Sequence, residues 1–292
     1  MRTRLDKQTR KIILGFQKNE ITEHFIYLAL SRMEKSSQNS QIMKRISDEE
    51  RKHYEIWRGY SGEEVKPKIL KRWFYIAVSY IFGITFGIKL MENGEGGAQV
   101  AYKKISSVIP EAADVKKQEE EHESELIKML DEKRLNYMGS IVLGLNDALI
   151  EFTGALAGFT LAMRNSRIIA MAGLIMGVSA SLSMAASEYF SIKADDKGSN
   201  PFHAAFYTGI VYVFTVIVLV LPYFLVQNVF FATLVMLGLA VLLILVFTYY
   251  FSVVREIPFK AHFLEMITVS LGVAAVSFVI GLLVRQIMHI EI

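Results

Sequence analysis

The chain has 292 residues, with 32 Lys and Arg against 29 Asp and Glu for a net charge of +3, 52% hydrophobic residues and no cysteine. Without cysteine there are no disulfides, thiolate metal sites, iron–sulfur clusters or Cys nucleophiles, so a metal would rest on oxygen and nitrogen ligands with Met as the sole sulfur. The charge is unevenly spread: from Leu135 onward only seven Lys/Arg and eight Asp/Glu remain. No basic stripe alternates with aromatics, so nucleic acid is not an expected partner.

This shift predicts two domains, 1–134 charged and 135–292 almost wholly apolar, in an all-α chain. The first eleven residues are too charged for a signal peptide, which predicts that the N-terminal domain stays in the cytoplasm. Apolar spacing predicts a helix over 6–34, a polar break at Ser36–Ser40, and a second helix over about 41–58 that stops at Gly59–Gly62. Pro67 suits the opening of the next segment, which runs to about Ser107, and Pro110 opens a fourth helix reaching about Lys133. Trp73–Ile88 holds no charge. A span there would put the two halves of the ligand set described below on opposite sides of a membrane. The expectation is a buried or membrane-surface helix.

Two Glu-x-x-His steps, Glu50–His53 and Glu119–His122, each follow a Glu with a Tyr seven residues on: Glu20 with Tyr27, Glu95 with Tyr102. Positions i and i+3 share a helix face, so each step aims a carboxylate and an imidazole at one point. One Glu from each of two helices and a Glu-x-x-His from each of two others form the ligand set of a di-iron four-helix bundle. The expected ligands are Glu20, Glu50, His53, Glu95, Glu119 and His122, with Glu92 as a seventh candidate. Two ions, Fe(II)/Fe(III), would occupy the bundle, with Mn(II) or Zn(II) as substitutes. Tyr27 and Tyr102 are read either as supports for ligating carboxylates or as core residues. Glu23 and His24 are expected at the surface or as such supports. Over about 6–133 the chain resembles the rubrerythrin-like branch of the ferritin-like superfamily. The resemblance implies an iron site able to oxidise Fe(II) with O2 or peroxide, although the four-cysteine relay domain usual there is missing.

Five apolar segments follow, at about 138–163, 167–192, 204–226, 228–253 and 262–287, each long enough to cross a bilayer. Lys133, Arg134, Lys193, Lys197, Arg255 and Lys260 flank one side, and Arg164, Arg167 and Arg285 the other. That bias predicts a multi-pass cell-membrane protein with its N-terminal domain inside and C-terminus outside. Gly154-x-x-x-Gly158 and Gly173-x-x-x-Gly177 suit close helix packing, within one subunit or between two. Ionisable residues inside a bilayer are costly and usually line a pathway, which singles out Asp147, Glu151 and Glu188. Met184, one turn before Glu188, adds a soft thioether ligand, and Asn146 an amide oxygen. Glu265 is read as a proton-coupling carboxylate or as an interfacial residue, and His203 as part of a solvated loop.

Gly144-Leu-Asn-Asp147-Ala-Leu-Ile-Glu151 and Ser181-Leu-Ser-Met184-Ala-Ala-Ser-Glu188-Tyr189 resemble signatures of the vacuolar iron transporter family, with Ala148 and Ser187 standing where that family tends to have Gly. The resemblance covers about 135–290 and implies a homodimer that moves Fe(II), or Mn(II), out of the cytoplasm against protons. By that match Asp147, Met184 and Glu188 line the path, with Glu151 as an addition. The fusion as a whole resembles the membrane-bound ferritin, or erythrin–vacuolar iron transporter, subfamily: a cytoplasmic ferritin-like four-helix bundle followed by a five-helix transmembrane domain. Two functions are carried forward. One is a metal exporter whose bundle binds, oxidises or senses iron. The other is a membrane-anchored ferroxidase or peroxide-scavenging di-iron enzyme that uses the spans as its anchor.

Overall fold

The computed structural model describes residues 6–93, 105, 109–129, 137–195 and 200–288. The chain divides into two compact units, Met1–Asp131 and Glu132–Ile292. Among the described residues there are ten helices and no strand.

In the first unit α1 (Lys7–Met33) starts at Asp6, whose carboxylate accepts from the Thr9 N–H at 2.7 Å. This satisfies one of the donors that a helix start leaves unpaired. α2 (Ser37–Ser61) begins four residues earlier than expected, because Ser36 acts as its cap and Ser37–Ser40 form its first turn. Serines that interrupt a helix pattern are preferred at a cap, so the polar break shrinks to three residues. α2 ends at Gly62, in the left-handed conformation (φ 71°) that glycine adopts without a steric penalty.

The uncharged stretch is not one helix. α3 (Ile69–Phe82) and α4 (Ile84–Asn93) meet at Gly83 (φ 97°). At this corner a Cβ on Gly87 would fall 1.8 Å from Ser79 Oγ. α3 packs on α1 but leaves a broad apolar side exposed, while Phe86 and Ile88 on α4 are buried, so only the later part of the segment takes the buried alternative. The rest of the expected third helix, with Glu95 and Tyr102, lies outside the described residues, and so does the side chain of Glu92. α5 (Glu111–Met129) follows.

Two apolar clusters hold this unit. One joins Ile13, Phe16, Trp57, Ile105, Ala112 and Val115, and the other Ile26, Leu30, Met43, Ile46, Ile88 and Leu126. The order of these residues gives the helix directions: α2 runs opposite to α1, and α5 runs along α1. Ile88 belongs to the second cluster and Ile105 to the first. Glu20, Glu50, His53, Glu119 and His122 fall between the clusters on their respective helices.

The second unit consists of α6 (Met138–Met163), α7 (Ser166–Asp195), α8 (Pro201–Leu225), α9 (Val229–Arg255) and α10 (Phe259–Met288), all five long and apolar enough to cross a membrane. Asn165, Asn200 and Asn228 each accept from two backbone N–H groups at the starts of α7, α8 and α9. His203 therefore belongs to the first turn of α8 and not to a loop. Within α6, Ala148–Phe152 forms a π-turn. Here the Leu149 carbonyl accepts from Ser270 Oγ on α10 at 2.9 Å. Hydroxyls of neighbouring helices commonly satisfy backbone groups loosened by such a turn in a bilayer.

Both small-residue pairs pack inside this one unit. A Cβ on Gly158 would meet the Ser277 carbonyl at 3.0 Å and one on Gly281 the Gly158 carbonyl at 2.2 Å, so α6 and α10 touch backbone to backbone. Gly173 and Gly177 admit Leu156, Val220 and Val216. Phe152, Leu156, Tyr212, Leu219, Met236 and Ile244 are among the residues of the core between these helices.

Candidate metal centre

In the first unit, one ligand atom each from Glu20 (α1), Glu50 and His53 (α2) and Glu119 (α5) lie within 4.8 Å of one another, a cluster that could hold a metal ion. His53 Nδ1 is 2.9 Å from Glu119 Oε1, 3.5 Å from Glu50 Oε2 and 3.9 Å from Glu20 Oε2. His122 closes the other side, with Nδ1 3.2 Å from Glu50 Oε1 and 3.9 Å from Glu119 Oε2. The two imidazoles stack with centroids 5.8 Å apart. Of the sequence-expected ligands, these five converge.

Two residues that the sequence reading did not single out set the imidazoles. His53 Nε2 lies 2.7 Å from Gln118 Oε1, and His122 Nε2 lies 2.7 Å from Glu49 Oε2. An amide or carboxylate oxygen only accepts, so each Nε2 carries a hydrogen and donates it outward. In the neutral ring that leaves the Nδ1 lone pair facing the carboxylates. The arrangement is crossed: Gln118 precedes Glu119 yet serves His53, and Glu49 precedes Glu50 yet serves His122. Trp57 Nε1–H donates to Glu20 Oε1 at 3.0 Å. Tyr27 is buried in the second apolar cluster, and Glu23 and His24, expected at the surface or as supports, are buried too. Glu23 pairs with Lys71 at 3.0 Å, and His24 Nδ1 meets the Ser47 carbonyl at 2.7 Å.

Metal-free, this centre is rich in protons. Burial, reinforced by the charges of Glu119 and Glu50, raises the Glu20 carboxyl well above the usual range. Burial and the Glu50 charge raise Glu119 to about 7. Burial also acts to raise Glu50, but the imidazoles of His122 and His53 outweigh it and bring that carboxyl to about 2. Burial disfavours a charged His53, yet Glu119 and Glu50 raise it to about 10, and His122 is raised for the same kind of reason. Glu50 Oε2, His53 Nδ1 and Glu119 Oε1 are buried with no properly directed hydrogen bond. Buried polar atoms normally find partners. One ring nitrogen and two carboxylate oxygens converging on one point fit the ligand atoms of a divalent cation.

In the second unit Asp147 and Glu151 stand four residues apart on α6, with Asp147 at the entry to the π-turn and Glu151 within it. Tyr212 OH reaches Glu151 Oε2 at 3.4 Å. Glu188 on α7 is buried and accepts from Ser140 Oγ at 2.5 Å. Ser140 lies seven residues before Asp147, on the same side of α6. Met184 is half-buried against the core. Asn146 lines a cavity with Thr248, His262 and Met266, and Asp147, Glu151, Met184 and Glu188 are not among its lining residues. Glu265 is exposed, its carboxylate 3.7 Å from His262 Nδ1.

Residues 138–198 match the model of the VIT family. The matched segment includes Asp147, Glu151, Met184 and Glu188, and it points to a metal-ion transporter. No curated protein and no solved structure matches the chain.

Proposed function

We propose that the chain exports Fe(II) from the cytoplasm, with Mn(II) as an alternative cargo, and that its N-terminal unit is a cytoplasmic ferritin-like di-metal bundle. The observation that carries the transport reading is the placing of two carboxylates, Asp147 and Glu151, at a π-turn inside the VIT-matched segment. Ionisable side chains inside a span are costly and mark pathways, and π-turns recur at functional positions. Met184 and Glu188 supply a thioether and a second carboxylate from the adjacent helix. A soft sulfur beside carboxylates favours Fe(II) and its transition-metal neighbours over Mg2+ or Ca2+. Cation binding at carboxylates competes with protons, which supports proton coupling of the flux. Glu151 is exposed in the single subunit. A carboxylate on an outer face of a spanning unit is better accommodated against a second copy than against lipid, which supports a homodimer. The Lys/Arg bias between the spans supports an inside N-terminal unit and an outside C-terminus.

For the head unit, α2 antiparallel to α1, a long crossover, and α5 parallel to α1 match the order of helix directions in ferritin-like bundles with one long crossover. Glu20, Glu50, His53, Glu119 and His122 would hold the ions, with Glu95 and Glu92 completing the set. Bound there, iron would supply oxidation chemistry towards O2 or peroxide. The protein's residues give up their Nδ1 and carboxyl protons on loading, orient the imidazoles through Gln118 and Glu49, and keep the centre dry between two apolar clusters.

Proteoliposomes carrying the full chain test the transport reading. Fe(II) or Mn(II) flux is expected, and it should disappear in Asp147→Ala; flux unchanged in that variant overturns the path. The converging ligand atoms of the head motivate the second reading, an anchored ferroxidase or peroxide scavenger. Consumption of O2 or peroxide with Fe(II), lost in Glu50→Ala/His53→Ala, would support it.

A further inference from the structure

Helix α3 carries its polar side inward and its apolar side outward. Lys71 Nζ pairs with buried Glu23 on α1 at 3.0 Å, the Arg72 guanidinium lies over the Phe25 ring, and Lys68 donates to Asn19 through Nζ and to Thr22 through its backbone N–H. On the other side Leu70, Trp73, Phe74, Tyr80 and Ile81 are 88, 58, 53, 80 and 70% exposed. At 3.6 residues per turn these five occupy an arc of about 120°. A helix lying on a soluble protein does the reverse, burying its apolar stripe and wetting its charged one. The exposed face has no counterpart in the transport or metal-binding reading.

We propose that this arc seats the N-terminal unit on an anionic lipid surface, with α3 lying in the plane of the headgroup–acyl boundary. Three observations select lipid as the occupant. Fourteen residues span about 21 Å as a helix, short of the roughly 30 Å hydrocarbon core, and the chain turns at Gly83, so the segment lies on a bilayer and does not cross it. Trp73 and Tyr80 stand on the exposed side, and such rings favour the level where acyl chains meet headgroups. No Asp or Glu occurs between Val65 and Met91, whereas Lys66 and Lys68 stand exposed at the entry to α3. That charge complements an anionic leaflet. The same chain enters its first span at Met138, nine residues after α5 ends at Met129. Being on one chain with the spans keeps the helix at high effective concentration near a bilayer. The inference does not depend on what the spans carry, and it stands if no metal flux is found.

The chain has two tryptophans, Trp57, which is fully buried, and Trp73, and it has no cysteine. The full-length protein is reconstituted in vesicles of phosphatidylcholine and phosphatidylglycerol with bromine on the acyl chains. Bromination is expected to remove the Trp73 share of the emission, and the emission of Trp73→Phe should be insensitive to it. Omitting phosphatidylglycerol should weaken the quenching. Emission unchanged by bromination in the unaltered chain overturns the proposal. Spin labels at Leu70→Cys and Ile81→Cys give a second reading that does not depend on Trp73. Labels open to oxygen but shielded from a polar nickel chelate support lipid contact. Labels open to the nickel chelate overturn the proposal in favour of a solvent face. Short distances between labels of two copies overturn it in favour of a dimer contact. Labels closed to both agents, without such distances, overturn it in favour of the chain's own helices as the cover.

Discussion

At the scale of single residues, the head centre depends on which imidazole nitrogen faces inward. Gln118 and Glu49 accept the outward Nε2–H of His53 and His122, which leaves Nδ1 to the interior. Partners of this kind typically change metal affinity by about 10- to 100-fold. Gln118→Leu is therefore expected to weaken metal binding within that range in a chelator competition, with an unchanged helical circular dichroism spectrum. Protonation gives a second outcome. His53 is raised to about 10 and Glu119 to about 7, so the folded metal-free centre holds protons more tightly than the unfolded chain. Stability from such groups is complete below their unfolded values and is lost as pH rises through the folded ones. Glu50, lowered to about 2, acts the other way, but only in acid. Between about pH 6 and about pH 9 the melting midpoint of the head unit, followed in the full chain with chelator present, should fall as pH rises. Metal should flatten that trend, because the ion replaces the protons in question.

At the scale of elements, contact between α6 and α10 rests on missing side chains. A Cβ at position 281 would stand 2.2 Å from the Gly158 carbonyl, and backbone cannot step aside as a flexible side chain does. Overpacking of this kind costs about 1–3 kcal/mol, and often more against backbone. Gly281→Val should lower the detergent melting midpoint measured by fluorescence size exclusion. Gly238→Ala, where a Cβ meets nothing within 4 Å, should not. The π-turn is the second element-scale device. It re-aims Glu151 relative to an unbroken α-helix, and Ser270 occupies the Leu149 carbonyl. Replacing Ser270 with Ala removes that bond. It should reduce metal flux more than it lowers the melting midpoint if the turn serves the path.

At the scale of the whole molecule, the two sites lie on separate units of one chain. Their separability is testable. Glu50→Ala/His53→Ala should remove head-bound metal, read by elemental analysis, while leaving flux through the spans measurable. Asp147→Ala should abolish flux and leave head metal intact. If the head variant loses flux as completely as Asp147→Ala, the bundle is an obligatory part of the path.

The sequence alone determined the all-α character, the charged-to-apolar shift after about 134, five candidate spans within a few residues of their ends, and the helical spacing of the two Glu-x-x-His steps. These are local: helical periodicity and a run of apolar residues are read directly off neighbours in the chain. Only tertiary structure showed that Gln118 and Glu49 serve the imidazoles of the opposite half-site, because each partner lies more than sixty residues away in sequence. It also showed that Gly154 and Gly158 pack on α10 within one subunit, and that Glu188 is held by Ser140. The uncharged run at 73–88 could be read as buried or as facing a membrane, since composition does not say which way a helix face turns. That choice was made by the packing of Lys71 and Arg72 on α1, which left the apolar arc outside.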